Sequence, residues 1–492
     1  MIKIFNRGSN IGKLMILIGV IVAIPILVIP FYPSDIQFLS AFLIPSSLSI
    51  IIGYIVCYRH NTDNSNLPFK LNLQKGSLTV LFAWLYGFLL GAIPFVIADQ
   101  LTFVQALFEA VSGFTTTGLS ALDVTKAAHI FLFHRSFMQF CGGLGFVMVM
   151  ILFIQGKQSM NLFSAEGHPD KLLPNLKRTA RIICYMYCSF LVIGVIAYKL
   201  VGMPIFDGIC HAMCSLSTGG FSTKLMSIGE YNSFGIELVT IALMIIGTLN
   251  FGVLLLFVKG QFKKVINVSE VKFMLILFAI FIPLTGLSLS NGLGIDIWEG
   301  LRKAMFDIVS ALSTSGYASM SYERWPSFAI FVLILMMLIG GGIGSTAGGL
   351  KLTRVFLIFK IALYHLKKRL HPSRTVETPY YIKASGKSEI DSNLIGDTAA
   401  FVGSYLIIYA IGVLALCAAS NCSITAAMFE FASALGTVGL SFGITNPTTG
   451  NIPLIIEMIG MMLGRLEIFI VIIGFHSGFN IIKTKIVSII KR

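Results

Sequence analysis

Charged residues are scarce in this 492-residue chain: Asp, Glu, Lys and Arg make up 12% of it, whereas hydrophobic residues make up 56%. An average soluble domain is about a quarter charged, so the composition argues against a soluble enzyme. The eight cysteines have no paired spacing and no accompanying set of histidines, which argues against a disulfide framework and a zinc site. The eight histidines show no spacing typical of a catalytic site either.

Long uncharged apolar runs dominate the chain instead, and about 20 such residues are enough for a helix to cross a bilayer. A β-barrel is excluded because its strands alternate polar and apolar residues. The first run lacks a small-x-small cleavage site, so we interpret it as a retained span rather than a signal peptide. Ten spans are predicted, at residues 12–32, 37–57, 77–98, 130–154, 182–201, 235–258, 272–290, 327–350, 397–418 and 453–476. The predicted fold class is therefore an all-α polytopic membrane protein.

The distribution of charge gives the orientation. The net charge is +14, and most of the 36 Lys and Arg residues lie in the connections on the side of the N-terminus. By the positive-inside rule, this side is cytoplasmic and both termini lie there. Because the basic residues are confined to one face of the membrane, they indicate contact with the lipid bilayer and no nucleic-acid partner. The longest cytoplasmic loop is predicted at 371–396.

Four connections on the opposite side each contain a short apolar stretch followed by Gly, Ser and Thr, too short to cross a membrane. They align in one register, and all four read Thr-x-Gly, then Leu, Phe or Tyr, then Ser or Ala. The repeat predicts a unit of helix, half-helix, filter-like strand and helix. The half-helices are expected at 105–115, 207–217, 303–313 and 426–436. The predicted division is 1–60 for two N-terminal transmembrane helices, then 61–155, 156–260, 261–390 and 391–492 for pore repeats 1 to 4.

Such a repeat suits the binding of a dehydrated cation. Potassium channels surround the ion with carbonyl oxygens from four TVGYG loops, and one chain with four Thr-x-Gly segments can build a similar ring. Glycine supplies the required backbone angles, and the half-helix C-termini direct partial negative charge to the centre. Close helix packing by small residues is the alternative, but it does not require four copies in one register. The predicted filter, with K⁺ held by backbone carbonyls, comprises Thr116, Thr117, Gly118, Thr218, Gly219, Gly220, Thr314, Ser315, Gly316, Thr437, Val438 and Gly439.

A polar residue stands seven positions before each of these threonines: Glu109, His211, Asp307 and Glu430. The three acids have two interpretations. An acid inside a membrane is a functional candidate by default, but a buried one can also hold backbone amides. We favour the second interpretation, in which the acids brace the filter.

The segment 340–351 is predicted to break the eighth span, because each Gly in a helix costs about 1 kcal/mol relative to Ala. Non-helical backbone at membrane depth must be buried in protein or line a cavity, so this segment is a candidate gate beneath the filter. Arg465 lies in the last predicted span, where a charge costs at least ~2.5–3.5 kcal/mol and must face protein or water. Neither Glu457 nor Glu467 can be assigned as its partner from sequence spacing. The predicted gate residues are Gly340, Gly341, Gly342, Gly344, Ser345, Thr346, Gly348, Gly349, Lys351 and Arg465.

With these motifs, and with the run Gly464-Arg-Leu-Glu-Ile468, the chain resembles the TrkH/TrkG/KtrB superfamily of potassium-uptake proteins. The two additional N-terminal spans make it most similar to the TrkH and TrkG type. The resemblance implies a pseudo-fourfold pore, a gating role for 340–351 and a place for Arg465 in the conduction path. It also implies a homodimer with one pore per subunit, a cytoplasmic nucleotide-binding regulatory subunit of the TrkA type, and a bacterial inner membrane. No cofactor is expected, K⁺ being the transported ion.

The sequence therefore predicts a potassium-uptake translocating subunit, with Rb⁺ and Na⁺ as further candidate ions, gated from the cytoplasm. Every filter segment departs from TVGYG, which predicts fewer equivalent carbonyl sites and leaves strict K⁺ over Na⁺ selectivity undecided. The alternative is a secondary transporter of an organic solute with cation coupling. That class predicts broken helices in two inverted positions, whereas this chain has four segments of one orientation. Passage driven by the membrane potential and symport with H⁺ or Na⁺ both stay open.

Overall fold

The computed structural model describes residues 9–62, 73–145, 176–370 and 378–490. Six helices in these ranges are long and apolar enough to cross a membrane, and two further pairs qualify if each bent pair counts as one span. Residues 146–154 of the predicted span 130–154 and parts of the predicted cytoplasmic connections lie outside the described residues.

The two N-terminal helices, Asn10–Ala23 and Leu39–Thr62, form a tightly packed pair. A Cβ atom on Gly12 would lie 2.6 Å from the carbonyl oxygen of Gly53, and one on Gly53 would lie 2.7 Å from that of Gly12. Glycines at such a crossing let the helix backbones approach closely, which is the usual way apolar helices associate in a membrane.

Four units of the predicted kind follow. Each consists of an outer helix, a short pore helix, an extended segment and an inner helix. The outer helices are Leu73–Ile97, Leu176–Leu200, Ser269–Leu293 and Ser392–Ser420. The pore helices are Phe103–Phe114, Ile205–Leu216, Ile297–Ser313 and Ile424–Gly436. The inner helices are His129–Leu144, Phe234–Thr248, Ser327–Ile339 and Asn451–Arg465. The four pore helices agree with the predicted half-helices, although the third begins six residues earlier than expected.

The packing of the pore helices follows a circular order. Pore helices 2, 3 and 4 contact inner helices 1, 2 and 3 respectively, and pore helix 1 contacts inner helix 4. Each pore helix is thus held between its own unit and the preceding one. This circular order agrees with the pseudo-fourfold form that the family resemblance implies.

Two predicted spans are not continuous, and here the sequence-based expectation was wrong. The predicted span 235–258 bends by 117° after Thr248, where Asn250 caps a new helix, Phe251–Val258, by accepting a hydrogen bond from Gly252 N at 2.6 Å. The predicted span 453–476 bends by 104° after Arg465, and Glu467 there has a left-handed backbone, with φ of 59°. Hydrophobicity detects neither bend, because both arms remain apolar. Arg465 is therefore the last residue of inner helix 4 rather than the middle of a straight span.

The glycine-rich segment does break the third inner helix, which ends at Ile339 and resumes as the helix Leu352–Leu370. The predicted loop 371–396 contains an antiparallel hairpin of strands Tyr380–Lys383 and Gly386–Glu389. This hairpin packs against the third unit, where Ile382 N donates to Ser269 Oγ at 2.9 Å.

We expect Gly53→Leu to destabilise the N-terminal helix pair, because its side chain would have to displace the backbone of the first helix. Overpacking of this kind typically costs about 1–3 kcal/mol, so the apparent melting temperature of the purified protein should fall. Gly403→Leu is the matched control, since Gly403 is also helical and has no atom within 4 Å of an added Cβ. Equal melting temperatures for the two variants would contradict the close crossing.

Candidate functional site

The end of each pore helix has the same backbone turn in all four units. The threonine of each Thr-x-Gly segment is left-handed, with φ of 55° at Thr116 and Thr218, 57° at Thr314 and 51° at Thr437. The N–H of this threonine donates to a carbonyl oxygen of the pore helix, and the N–H of the residue after it does the same. For the residue after the threonine, the hydrogen bonds run from Thr117 N to Ser112 O, Gly219 N to Cys214 O, Ser315 N to Ser310 O and Val438 N to Ser433 O, at 2.8–3.0 Å. A positive φ is strained for a residue other than glycine. Because all four threonines adopt it in the same register, the surrounding structure must hold the backbone in this conformation.

The glycines that follow join the four segments into a closed ring. Each is left-handed, with φ between 71° and 99°, and a Cβ atom on it would overlap a carbonyl oxygen of the next unit. The pairs are Gly118 with Gly219 O, Gly220 with Ser315 O, Gly316 with Val438 O, and Gly439 with Thr117 O. The last pair returns to the first unit. The twelve predicted filter residues therefore come together around one axis.

Two of the threonine side chains bond to the predicted gate segment. Gly348 N in the gate segment donates to Thr314 Oγ1 at 2.8 Å, and Thr218 Oγ1 donates to Thr346 Oγ1 at 3.2 Å. The hydroxyls of Thr116 and Thr437 are buried and have no hydrogen-bond partner among the described residues.

The polar residue seven positions before each threonine braces the chain just after the filter. Glu109, His211, Asp307 and Glu430 are all fully buried, and each contacts a serine hydroxyl beyond the filter glycine. The contacts are Ser120 to Glu109 at 3.0 Å, Ser222 to His211 at 3.0 Å, Ser319 to Asp307 at 2.5 Å and Ser441 to Glu430 at 2.7 Å. These contacts agree with the bracing interpretation of the acids.

The units compensate the buried charge differently. Glu109 forms an ion pair with Arg135 of inner helix 1 at 2.5 Å. Glu430 accepts hydrogen bonds from Phe442 N at 2.7 Å and from both N and Oγ1 of Thr445 at 3.0 and 2.6 Å. A buried carboxylate is tolerated only when it is paired or hydrogen-bonded, and both solutions satisfy this requirement.

Gln139, which the sequence analysis missed, contacts the second filter segment. It is fully buried on inner helix 1. Its Nε2 donates to Gly219 O at 2.5 Å, and its Oε1 accepts from Phe221 N at 3.1 Å. An amide in an apolar predicted span was the available signal, since polar residues in membrane helices usually face the protein interior.

The predicted gate segment is buried directly beneath the ring. Thr346 Oγ1 lies 2.9 Å from Gly247 O and 3.2 Å from Leu216 O, so it joins inner helix 2 to the end of pore helix 2. Gly348 of this segment packs so closely against pore helix 4 that a Cβ atom on it would overlap Thr437 Oγ1 and Gly436 O. The remaining predicted gate residues, Gly340, Gly341, Gly342, Gly344, Ser345 and Gly349, lie in the same compact loop between Ile339 and Leu352.

Arg465 ties this gate segment to inner helix 1. Its guanidinium donates to Thr346 O at 2.7 Å, to Gly142 O at 2.7 Å and to Gly143 O at 3.3 Å. These acceptors are backbone carbonyls on distant segments, which explains why no partner could be assigned from the sequence. Glu467 instead pairs with Arg354 at 3.0 Å.

Lys351 lies at the other end of the gate segment, where its Nζ donates to Ala347 O and its backbone is left-handed, with φ of 79°. A cavity of about 770 Å³ begins on this side of the gate. It is lined by Ile343 of the predicted gate segment and by residues of the hairpin and neighbouring helices, among them Asn250, Arg354, Lys383 and Glu467, but by no filter residue. The segment 340–351 thus contacts this cavity through Ile343 and the ring through Gly348.

Comparison with known proteins agrees with this architecture. The sequence profile of the TrkH family, described as a cation transport protein, matches residues 40–290 and 293–481. The chain is 31% identical to the Trk system potassium uptake protein TrkG of Escherichia coli (strain K12) over 423 residues, covering 83% of this chain and 86% of TrkG. It is 28% identical to the Trk system potassium uptake protein TrkH of Halomonas elongata over 486 residues, covering 95% and 98% of the two chains.

Among solved structures, the crystal structure of the potassium transporter TrkH from Vibrio parahaemolyticus superposes with a TM-score of 0.82 at 26% sequence identity. The match covers 95% of this chain and 98% of that one. The profile covers well over half of the sequence, and the structural match extends over almost all of it. This chain is therefore a multi-pass membrane protein that belongs to the TrkH family of cation transport proteins.

Proposed function

We propose that this chain is the translocating subunit of a potassium-uptake system, through which K⁺ passes by way of one filter per chain. The observation that carries the proposal is the closed ring, in which each filter glycine lies against the backbone carbonyl of the next unit. Rings of backbone carbonyls replace the hydration shell of K⁺ in channels. Rb⁺ and Na⁺ are further candidate ions, and the proposal involves no catalytic step.

Two further observations support passage of a cation. The four pore helices end at the ring, and the partial negative charge of a helix C-terminus favours a cation there. The relatives reported above carry the name Trk system potassium uptake protein. The alternative, a secondary transporter of an organic solute, is disfavoured because such a site needs a midplane cavity between inverted repeats, whereas these four units have the same element order.

The proposed gate is the segment 340–351, controlled from the cytoplasmic side and held by Arg465. An inside-negative membrane potential contributes ~2.3 kcal/mol per elementary charge per 100 mV. This is enough to concentrate K⁺ without a second ion, so we propose potential-driven passage in preference to symport.

We further propose a homodimer with one pore per subunit, a cytoplasmic nucleotide-binding partner of the TrkA type, and a bacterial inner membrane with both termini in the cytoplasm. The orientation is supported by the excess of Lys and Arg on the connections of one face, as the positive-inside rule requires. The partner is supported by the relatives' name, which describes a system.

The filter is tested by Gly439→Ser. Gly439 has a φ of 99°, and a side chain there would overlap Thr117 O, so the ring cannot close. In a bacterium deficient in K⁺ uptake and supplied with a TrkA-type subunit, we expect the wild-type chain to restore growth at low K⁺ and the variant to fail. Rb⁺ flux into vesicles should fall in parallel.

The matched control is Gly450→Ser. Gly450 is the N-cap of inner helix 4, with φ of −65°, where serine is a favoured residue. We expect it to keep growth and flux at equal membrane abundance. If well-folded wild-type protein carries neither Rb⁺ nor Na⁺, with or without the partner, the ion pathway is wrong and the solute transporter becomes the better hypothesis.

Arg465→Ala tests the gate. It removes the bonds to Thr346, Gly142 and Gly143 together with a positive charge next to the path. Hydrogen bonds that involve a charged group contribute about 1.5–3 kcal/mol each, so Rb⁺ flux in the closed condition should rise by about tenfold or more.

Arg465→Lys separates the two effects, because lysine keeps the charge but lacks the planar fork of donors. We expect an intermediate flux for this variant. Arg354→Ala is the control for loss of a positive charge near the cavity, since Arg354 pairs with Glu467 and has no described bond to the gate segment. Unchanged flux in Arg465→Ala at equal abundance would remove Arg465 from the gate.

A further inference from the structure

The residue between the threonine and the glycine of each filter segment differs in all four units, and three of them anchor the segment through a side chain. Thr117 Oγ1 lies 2.8 Å from Thr115 Oγ1, and Ser315 Oγ accepts from Ser313 Oγ at 2.8 Å. Val438 is fully buried in the apolar cluster that also contains Met337 and Phe429. In each case the filter segment is fixed to its own unit or to the surrounding core.

The second unit has Gly219 at this position and so lacks an anchoring side chain. The space that a side chain would occupy is filled by Gln139 of inner helix 1: a Cβ on Gly219 would overlap its Cδ and Oε1. Gly219 does not have a left-handed backbone, so its backbone conformation does not itself require glycine. What excludes a side chain there is the neighbouring glutamine.

Gln139 also bonds to the backbone on both sides of the filter glycine Gly220. Its Nε2 donates to Gly219 O and its Oε1 accepts from Phe221 N. A donor and an acceptor on opposite sides of one planar amide fix the orientation of that amide. One turn earlier on the same helix face, the guanidinium of Arg135 lies 4.1 Å from the centroid of the Phe221 ring. The second filter segment is thus clamped from inner helix 1.

Gly219 O is also part of the ring, since it is the carbonyl against which Gly118 packs. Of the four equivalent carbonyls, it is the one for which the described residues provide a side-chain donor. K⁺ selectivity has been ascribed to cavity size and to the number and field strength of the coordinating carbonyls. Both properties depend on where this carbonyl lies and on how much of its charge a hydrogen bond already engages.

We propose that Gln139 is a positioning residue for the filter, which takes the place of the side chain that Gly219 lacks and sets the discrimination of K⁺ from Na⁺ through the second segment. This inference rests on the proposed function and extends that function by assigning ion selectivity to a residue outside the four Thr-x-Gly motifs.

The test is a double-mutant cycle of Gln139→Ala and Gly219→Ser. Gln139→Ala removes the two hydrogen bonds from inner helix 1 to the second segment, and Gly219→Ser forces a side chain into the space that Gln139 occupies. In the double variant, the introduced serine has room and carries a hydroxyl like that of Ser315. We expect each single variant to lower the ratio of Rb⁺ to Na⁺ flux in vesicles by about threefold to tenfold, as loss of one ordinary hydrogen bond would. The double variant should recover most of the ratio.

The melting temperatures of the wild type and the three variants are also measured after purification. This measurement reports the contact between Gln139 and Gly219 without depending on ion transport. If the changes in melting temperature are not additive in the double variant but the wild type carries no Rb⁺, the proposed function is contradicted while the contact between Gln139 and Gly219 stands. Normal flux with an unchanged ratio in Gln139→Ala would overturn the selectivity role. If the losses in the ratio of Rb⁺ to Na⁺ flux simply add in the double variant, Gln139 does not take the place of a side chain at position 219. Gln100→Leu, on a connecting loop, controls for loss of a glutamine elsewhere.

Discussion

The structure depends on one constraint: inside a membrane, every backbone N–H and C=O must find its partner within the protein. Four segments of this chain leave the helical conformation where the chain is buried, and such backbone is tolerated only inside protein or along a water-filled cavity. Each solves part of the problem locally, by bonding two amides at the end of the pore helix back to that helix. The neighbouring unit fixes the space beside the segment, because its carbonyl oxygen lies where a Cβ atom on the filter glycine would be. The four segments therefore depend on one another for their packing, as the pore helices do through their contacts with the preceding inner helices.

The four units meet this constraint with the same backbone but different side chains. Behind the filter, Glu109 uses Arg135 as a counter-charge, whereas Glu430 is held by neutral donors from the chain it braces. In the second unit an imidazole occupies the equivalent position, where His211 contacts Ser222 without introducing a carboxylate. What the four units share is a serine hydroxyl beyond the filter glycine that contacts the polar residue. The chemical type of that polar residue can therefore vary while its position in the repeat stays the same.

The sequence predicts structure that depends on neighbouring residues, but not contacts between positions far apart in the chain. The pore helices and the filter turn are local structures, so their pattern in four copies located three of the pore helices to within two residues and the start of the third to within six. The bends after Thr248 and Arg465 were missed because they depend on caps and left-handed residues inside continuously apolar runs. The acceptors of Arg465 and the contact of Gln139 with Gly219 join positions that are far apart in the chain. No spacing rule within one helix contains that information, and a single sequence offers no other.

The segment 340–351 and the ring share hydrogen bonds, so these two parts of the site are coupled. Gly348 N bonds to a filter threonine, and Thr346 bridges pore helix 2, inner helix 2 and the hydroxyl of Thr218. The gate segment cannot leave its place without releasing these groups, so its movement must alter the lower end of the filter as well. Arg465 adds three hydrogen bonds from a charged group, at about 1.5–3 kcal/mol each, to neutral bonds of about 1 kcal/mol each. In the gating role proposed above, opening has to offset the release of all these bonds.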